Sequence, residues 1–226
     1  LGQIANYQMG YSYIQTKNKV AAYTAFKDAA EAGYDAEIQE DAYFNYAKLA
    51  FDLNNDPSVF DSYIRKYPEQ AKGDRIYSYM ALAALYNHDY AGAVEAYDKI
   101  DVLDADMKNN YMKANYLRAD QLVSAGSYRS AVPCLKTAAY YSDKRTPFNQ
   151  TARYWLAESY YRSDDYAQSA ELYKSLYNTS ALYGKREGNL IPYNVAYCYF
   201  KENDFKSAAD WFDTYLQTGD KTRRRD

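Results

Sequence analysis

One histidine, two cysteines and a group of aspartates are the residues of this 226-residue chain that could do chemistry. His88 is the sole histidine, so a histidine-activated nucleophile or a histidine metal cluster has no second residue to complete it. Asp101, Asp104 and Asp106 supply carboxylates, but their segment lacks the glycine and the closing glutamate of a calcium loop. We therefore predict no catalytic residues and no metal site.

Other motifs that carry chemistry are weak or missing. The sequence has no glycine-rich phosphate loop, and we predict no cofactor. The triplets that begin at Asn149 (NQT) and Asn178 (NTS) fit the glycosylation pattern, but this pattern matters only in a secretory pathway that glycosylates. Nothing in the sequence supports an enzyme.

Charge and hydropathy exclude two classes of partner. The formal net charge is −3 and the pI is about 5.3, whereas binding of phosphate backbones needs a basic stripe. The one basic run, Arg223 to Arg225, is expected to be solvated. We therefore expect no nucleic-acid partner. No apolar run approaches the ~18 residues of a membrane span, so we also expect no membrane insertion by this segment.

Because the chain opens without methionine and closes just after a helical pattern, we expect a fragment of a longer protein.

The aromatic composition indicates thin helical layers. Thirty tyrosines stand against eight phenylalanines and two tryptophans. A tyrosine suits a position where the ring packs while the hydroxyl reaches water or a polar partner. Such positions are more frequent between stacked helices than in a deep core.

The positions of these aromatic residues follow an internal repeat. The segments HDYAGAVEAY, GSYRSAVPCL, DDYAQSAELY and NDFKSAADWF share an aromatic residue, a small residue three later and a large apolar residue four after that. A small residue recurs upstream at separations of 37, 34, 38, 38 and 39, namely Gly10, Ala47, Ala81, Ala119, Ala157 and Ala196. The register predicts six repeats near residues 3–36, 40–73, 74–107, 112–145, 150–183 and 189–222, in one array over 1–226.

This pattern resembles the tetratricopeptide repeat family. The family's second small position falls on Ala22, Val59, Ala93, Ala131, Ser169 and Ala208, and its large apolar position on Phe26, Tyr63, Tyr97, Leu135, Tyr173 and Phe212. The family's tryptophan at the fourth position is missing from all six repeats. The resemblance implies an all-α, right-handed superhelical solenoid of about twelve helices, in which small side chains let the paired helices approach each other.

The repeat frame also places the turns and the cysteines. The triplets SDD, NHD, SAG and KEN fall between paired helices, where Asp, Asn and Gly end one helix and cap the next. His88 lies in one of these turns. Cys134 and Cys198 fall in different repeats with a layer between them, beyond the ~7 Å limit of a disulfide, so we predict two buried free thiols.

Part of the chain resembles a narrower group within the family. AxYWLAESYY with DYAQSAELY, and YIRKYP at 63–68, are similar to envelope proteins such as outer-membrane assembly lipoproteins and the periplasmic Tol-Pal coordinator. This resemblance favours a periplasmic or outer-membrane location over the cytoplasm, although the compartment stays unknown.

The resemblance also implies a concave groove lined by the first helices. The family's clamp for a terminal carboxylate needs Lys and Asn where this chain has Tyr7 and Tyr11, and only Asn45 and Arg75 lie at clamp-like positions, so that mode is not expected. We predict a protein or peptide partner in an aromatic groove. The predicted groove residues are Tyr7, Tyr11, Phe44, Lys48, Asp52, Leu82, Tyr86, Tyr116, Asp120, Tyr154, Glu158, Arg162, Tyr193, Tyr197 and Lys201.

Three alternatives stay open for these tyrosines. About half of the rings could pack against a neighbouring repeat instead of binding a partner. Aromatic rings also stack on sugars, which gives a glycan or peptidoglycan as the alternative ligand. A third interpretation is a spacer or self-association module.

Overall fold

The structure is a computed structural model that describes residues 2–54, 56, 58–70, 73–177, 179, 182 and 186–218, and these residues form twelve α-helices and no strand. The helices are α1 (Gly2–Gln15), α2 (Lys19–Glu31), α3 (Ala36–Asn54), α4 (Ser58–Lys66), α5 (Asp74–Tyr86), α6 (Tyr90–Tyr97), α7 (Ala105–Ser124), α8 (Tyr128–Tyr141), α9 (Pro147–Tyr161), α10 (Tyr166–Leu176), α11 (Arg186–Lys201) and α12 (Phe205–Gln217). These helices follow one another along the chain as consecutive helix-turn-helix pairs. The predicted all-α fold of helix-turn-helix repeats is confirmed.

The chain divides into two compact units, Leu1–Met107 and Lys108–Asp226. In the first unit α1 packs on α2, α2 on α3, α3 on α4, and α5 on α6. In the second unit α8 packs on α9, α9 on α10, α10 on α11, and α11 on α12. These helices bury their apolar faces against one another, because one amphipathic helix alone cannot cover that face.

The small residues of the repeat register lie where helices touch. Ala47, Ala81, Ala119, Ala157 and Ala196 have no exposed surface. Gly10 is also buried, and a methyl group at its Cα would lie 2.8 Å from the Phe26 ring, which is itself fully buried. The small side chains at these positions set how closely the helices pack, as the sequence predicts.

The large residues of the register fill the space between layers. Tyr63, Tyr97, Leu135 and Tyr173 are each at most 1% exposed. The ring of Tyr173 packs in a cluster that also contains Ala157 and residues of α11. Its hydroxyl reaches a carboxylate, as does that of Tyr63, which donates to Glu40. Buried tyrosines thus keep a polar partner at the edge of each layer.

The turns between paired helices are capped by aspartates. Asp89, Asp165 and Asp204 precede α6, α10 and α12, and each accepts a hydrogen bond from a backbone N–H in the first turn. One residue earlier in each turn, the backbone adopts positive φ, at His88, Asp164 and Asn203. Lys17 and Gly126 do the same before α2 and α8. The predicted turn positions are therefore confirmed, His88 included.

The two cysteines are free and buried, as predicted, with Cys134 on α8 and Cys198 on α11. The thiol of Cys198 lies 3.4 Å from Oγ of Ser169, and burial raises the pKa of this thiol to about 11. A low thiolate fraction at neutral pH makes such a thiol a poor nucleophile.

The aspartate segment and the first glycosylation triplet have structural roles. Asp104 accepts a hydrogen bond from the backbone N–H of Met107 at 2.8 Å, which caps α7. Asn149 is 1% exposed and donates to the backbone oxygen of Ala139 at 2.8 Å, so the folded chain does not present this triplet for glycosylation. Asn178 and Arg223 to Arg225 lie outside the described residues.

Metal-binding clusters and membrane-spanning helices are absent from the described part of the chain. Its His, Cys, Asp and Glu residues form no group of three or more that could hold a metal ion. None of its helices is both long enough and apolar enough to cross a membrane.

Candidate functional site

The second unit contains an open cavity of about 640 Å³, within the range of ~300–1,000 Å³ that ligand sites occupy. Residues of α9 and α11 form most of its wall, with single residues from α8 and α10. We call it the aromatic cavity, and it is lined by Tyr128, Tyr154, Trp155, Glu158, Tyr161, Arg162, Tyr173, Leu190, Tyr193, Asn194 and Tyr197.

An ion pair lies in the wall of the aromatic cavity. Glu158 lies in the last turn of α9 and Arg162 directly follows the end of that helix, where Arg162 Nε donates to Glu158 Oε1 at 2.7 Å. The second carboxylate oxygen of Glu158 accepts from the Tyr173 hydroxyl at 2.8 Å. The Arg162 guanidinium also lies 5.7 Å from the ring centre of Tyr128. Both charges are therefore held in fixed positions and balance each other.

The tyrosine rings form the apolar part of the same wall. Tyr193 and Tyr197 on α11 have ring centres 4.8 Å apart, and Tyr154 on α9 lies edge-to-face on Tyr173 at 5.6 Å. Burial, followed by the charge of Glu158, raises the pKa of Tyr154 to about 12. The Tyr154 hydroxyl thus stays neutral, and the cavity offers flat rings beside hydrogen-bonding groups.

Five predicted groove residues of the second unit lie together in this wall, namely Tyr154, Glu158, Arg162, Tyr193 and Tyr197. Tyr116 and Asp120 on α7 instead line a much smaller pocket, where Trp155 is also present. The Tyr116 ring packs on Phe148 with ring centres 4.8 Å apart. Lys201 ends α11 with an exposed side chain and is not among the lining residues.

Two predicted groove tyrosines of the first unit, Tyr7 and Tyr11, are engaged within the chain. Tyr7 and Tyr11 donate their hydroxyl hydrogens to Oδ2 of Asp41 at 2.9 and 2.6 Å. The Asn45 amide donates to the same oxygen at 2.9 Å and to the Tyr11 oxygen at 3.1 Å. This network joins α1 to α3. It also occupies Asn45, one of the two clamp-like residues.

The other predicted groove residues of the first unit differ in exposure. Phe44 is only 4% exposed and belongs to a core cluster, because the helices α4 and α5 cover its ring. Leu82 packs against the same cluster. Lys48 is half-buried above Phe44 and Tyr79, and Asp52 pairs with Lys19. Tyr86 is well exposed and contacts Phe51 edge-to-face.

The sequence interpretation missed several cavity residues, above all Trp155 and Asn194. Both occupy the sixth position of their predicted repeats, directly after a predicted groove residue in the sequence. Tyr161, also missed, lies at the twelfth position of its repeat. The recurrence of position six in neighbouring repeats is the signal that could have found the first two.

Comparisons with known proteins agree with the repeat pattern. The profile of the tetratricopeptide repeat family matches residues 116–186. No curated protein matches the chain by sequence.

Several solved structures are similar to this chain at low identity. A tetratricopeptide repeat protein from Parabacteroides merdae is 13% identical with a TM-score of 0.47, over 98% of this chain and 81% of that one. The TPR2AB domain of yeast Sti1 in complex with pHSP90 is 12% identical with a TM-score of 0.41, over 96% and 90%. MamA from Desulfovibrio magneticus is 17% identical with a TM-score of 0.40, over 79% and 94%. It is the family profile that identifies residues 116–186 as tetratricopeptide repeats.

Proposed function

We propose that this chain is a non-catalytic interaction module whose aromatic cavity binds a segment of a protein partner. The observation that carries the proposal is the convergence of tyrosine rings, Trp155 and a fixed ion pair on one open cavity. Tyrosine and tryptophan supply large contact areas at low entropic cost, which is why they are enriched at recognition surfaces. That the six repeats form a single array is part of the same proposal.

The chemistry of the cavity favours binding over reaction. Glu158 has both oxygens engaged, one by Arg162 and one by Tyr173. A general base must lie within hydrogen-bond reach of the proton that it abstracts, and both oxygens of Glu158 are directed at groups of the chain itself. The ion pair is therefore suited to orient a bound segment through the remaining donors of the guanidinium.

Selection from a random displayed-peptide library tests this function without knowledge of the partner. Peptides are selected on the 226-residue chain and then titrated against Trp155→Ala/Tyr193→Ala. Loss of both rings should lower the affinity of the chain for the selected peptides at least about tenfold, as expected for aromatic anchors. Tyr140→Ala is the control, because Tyr140 is 80% exposed and lies outside the cavity.

Two results separate the possibilities. Circular dichroism should show unchanged helicity for both variants, so that weaker binding reports the cavity and not unfolding. Selected peptides that bind the double variant as tightly as the original chain would contradict the assignment of the cavity.

A glycan is the second candidate ligand, and one specific observation favours it. The cavity places Trp155 beside Asn194, Glu158 and Arg162, the combination of a stacking ring and polar groups on which sugar recognition depends. In a Trp211→Phe background, Trp155 is the sole tryptophan and reports directly on the cavity. Saturable fluorescence changes with peptidoglycan fragments, and none with selected peptides, would identify a glycan and not a peptide as the ligand of the cavity.

Self-association and an envelope location complete the proposal. The envelope-type sequence style of YIRKYP and AxYWLAESYY supports a periplasmic or outer-membrane location.

Light scattering across a range of concentrations measures self-association. A mass that rises with concentration, and falls in the Trp155→Ala/Tyr193→Ala variant, would make a second copy the occupant of the cavity.

A further inference from the structure

The last helix of the described chain, α12, presents a stripe of apolar side chains to solvent. Phe205, Ala209, Phe212 and Leu216 follow one another at intervals of four, three and four residues, which places them on one side of the helix. Phe205 is 58% exposed and Leu216 is 51% exposed, Ala209 is also exposed, and Phe212 is partly buried. We call these four residues the α12 stripe.

Contacts with α11 hold the aromatic rings of the α12 stripe in place. The Phe205 ring centre lies 5.7 Å from that of Phe200, and the Phe212 ring centre lies 5.5 Å from that of Tyr197. Phe200 is itself exposed and extends the apolar surface onto α11. A contiguous apolar patch on a protein surface, unlike a single exposed residue, marks an interaction site.

The order of residue sizes along the α12 stripe fits a second copy of the same helix that runs in the opposite direction. With the two helices centred on each other, Phe205 lies opposite Leu216 of the second copy, and Ala209 lies opposite its Phe212. The smallest side chain then receives a large ring, and no layer holds two phenylalanines. In a parallel pair each residue would meet its own copy, so a gap at Ala209 would lie beside two crowded rings at Phe212.

The charges beside the α12 stripe agree with the same arrangement. Lys206 and Asp213 each follow a phenylalanine of the stripe by one residue, and both are exposed on the same flank of α12. In the antiparallel pair Lys206 comes within two residues, about 3 Å along the helix axis, of Asp213 in the second copy. Two-fold symmetry forms this pair twice. Within the part of the chain that the structure describes, neither side chain has an ion-pair partner.

We propose that the α12 stripe docks on the α12 stripe of a second copy of this chain and forms an antiparallel two-fold dimer. Such an interface uses the same surface on both copies, so the assembly closes at two. The inference rests on the proposed function only in taking the chain to self-associate. No residue of the stripe lines the aromatic cavity, so pairing of α12 and binding in the cavity use different residues.

Sedimentation velocity and light scattering on the 226-residue chain test the inference. The mass should rise with concentration from 26.1 kDa to twice that value and no further. Leu216→Gln should weaken the dimer at least about tenfold, because symmetry removes the apolar side chain from two layers. Val20→Gln is the matched control, since Val20 is an exposed apolar residue on α2, outside the stripe. Circular dichroism should show unchanged helicity in both variants.

Two kinds of variant separate this register from non-specific apolar association. Ala209→Leu adds apolar surface but crowds the ring of Phe212 in the second copy, so it should weaken the dimer, whereas it would strengthen a non-specific contact. Lys206→Glu and Asp213→Lys should each weaken the dimer about tenfold at low salt, because each places like charges opposite one another twice. An equimolar mixture of these two charge variants should restore the dimer, since every charge then meets its opposite.

Other outcomes overturn the inference. A mass of 26.1 kDa at every concentration, a dimer that tolerates Leu216→Gln, or a mixture that does not restore the dimer would exclude this pairing of α12. A mass that grows beyond the dimer and falls in Ile14→Gln would place the stripe on α1 of the next copy, because Ile14 is an exposed apolar residue of that helix.

The aromatic cavity is tested separately in the same assay. Trp155→Ala should leave the dimer intact, because Trp155 lies in the cavity wall and outside the α12 stripe. Loss of the dimer in this variant would place the second copy in the cavity and overturn the pairing of α12. Failure of the dimer with peptide binding intact, or the reverse, therefore distinguishes the two proposals.

Discussion

The Tyr173 hydroxyl donates a hydrogen bond to Oε2 of Glu158 at 2.8 Å, which ties the core of the second unit to the wall of its cavity. Tyr173 has no exposed surface, whereas the Glu158 side chain is 18% exposed. The buried partner therefore fixes the carboxylate, and the carboxylate in turn fixes Arg162 at 2.7 Å. A core residue thus determines the position of a charge that faces the cavity.

Tyr173→Phe should lower the stability of the chain by roughly 1–2 kcal/mol, because it leaves a mostly buried carboxylate oxygen without its donor. Urea unfolding followed by circular dichroism measures the change. Tyr166→Phe is the matched control, since the Tyr166 hydroxyl donates to Asp164 in an exposed turn. A loss of equal size in both variants would mean that burial of the Tyr173 bond is not the cause.

Gly10→Ala should destabilise the first unit even though alanine is the better helix former. The new methyl group would lie 2.8 Å from the Phe26 ring, which contacts Tyr7 and Tyr11 edge-to-face and has little room to move. Overpacking of this kind costs roughly 1–3 kcal/mol, more than the ~1 kcal/mol that alanine gains over glycine in a helix. Thermal melts show whether the melting temperature falls, as expected, or rises.

Gly2→Ala is the control for this clash, because nothing lies within 4 Å of a methyl group at Gly2. Its melting temperature should stay the same or rise. A rise of equal size in Gly10→Ala would show that the Phe26 ring yields to the added methyl group.

Lys17→Gly should stabilise the turn between α1 and α2. Lys17 has a φ of 58°, in the left-handed region where glycine has no steric penalty from a Cβ. The expected gain is up to ~1 kcal/mol, reduced by the greater freedom of glycine in the unfolded chain. Lys27→Gly, inside α2, should instead cost about 1 kcal/mol. Two variants that are both destabilised would exclude relief of strain at Lys17.

Cys198 should make the fold sensitive to alkali. Burial raises the pKa of its thiol from 9.0 to about 11, so the folded chain keeps the proton between these values while the unfolded chain releases it. The stability from the neutral thiol is therefore fully present below pH 9 and is lost as the pH rises through about 11. Urea unfolding at several pH values measures this slope.

Cys198→Ala should show a shallower loss of stability over the same pH range. The buried tyrosines titrate in both proteins, so the difference between the two slopes isolates the thiol. Identical slopes would mean that Cys198 releases its proton at its ordinary pKa in the folded chain.

Much of the fold follows from local features of the sequence. The spacing of Gly10, Ala81 and Ala157 predicts paired helices, because residue size and helical period are properties of the chain itself. Asp89 and Asp165 predict helix starts for the same reason, since a cap bonds a backbone N–H only three residues away. The residues with positive φ are less predictable, because four of the five that lie between paired helices are not glycine.

The candidate site depended on the tertiary structure. Position in the repeat placed Tyr154 and Tyr193 on the predicted concave side, yet it could not show that Phe44 is covered by neighbouring helices or that the Tyr7 hydroxyl is taken by Asp41. Trp155 and Asn194 enter the cavity although the repeat pattern did not select them. Which faces of a helix stay open is decided by the angle and distance of its neighbours, and these depend on packing between residues far apart in the sequence. The sequence therefore determined the paired helices and their register, and the packing of those helices decided which tyrosines face solvent.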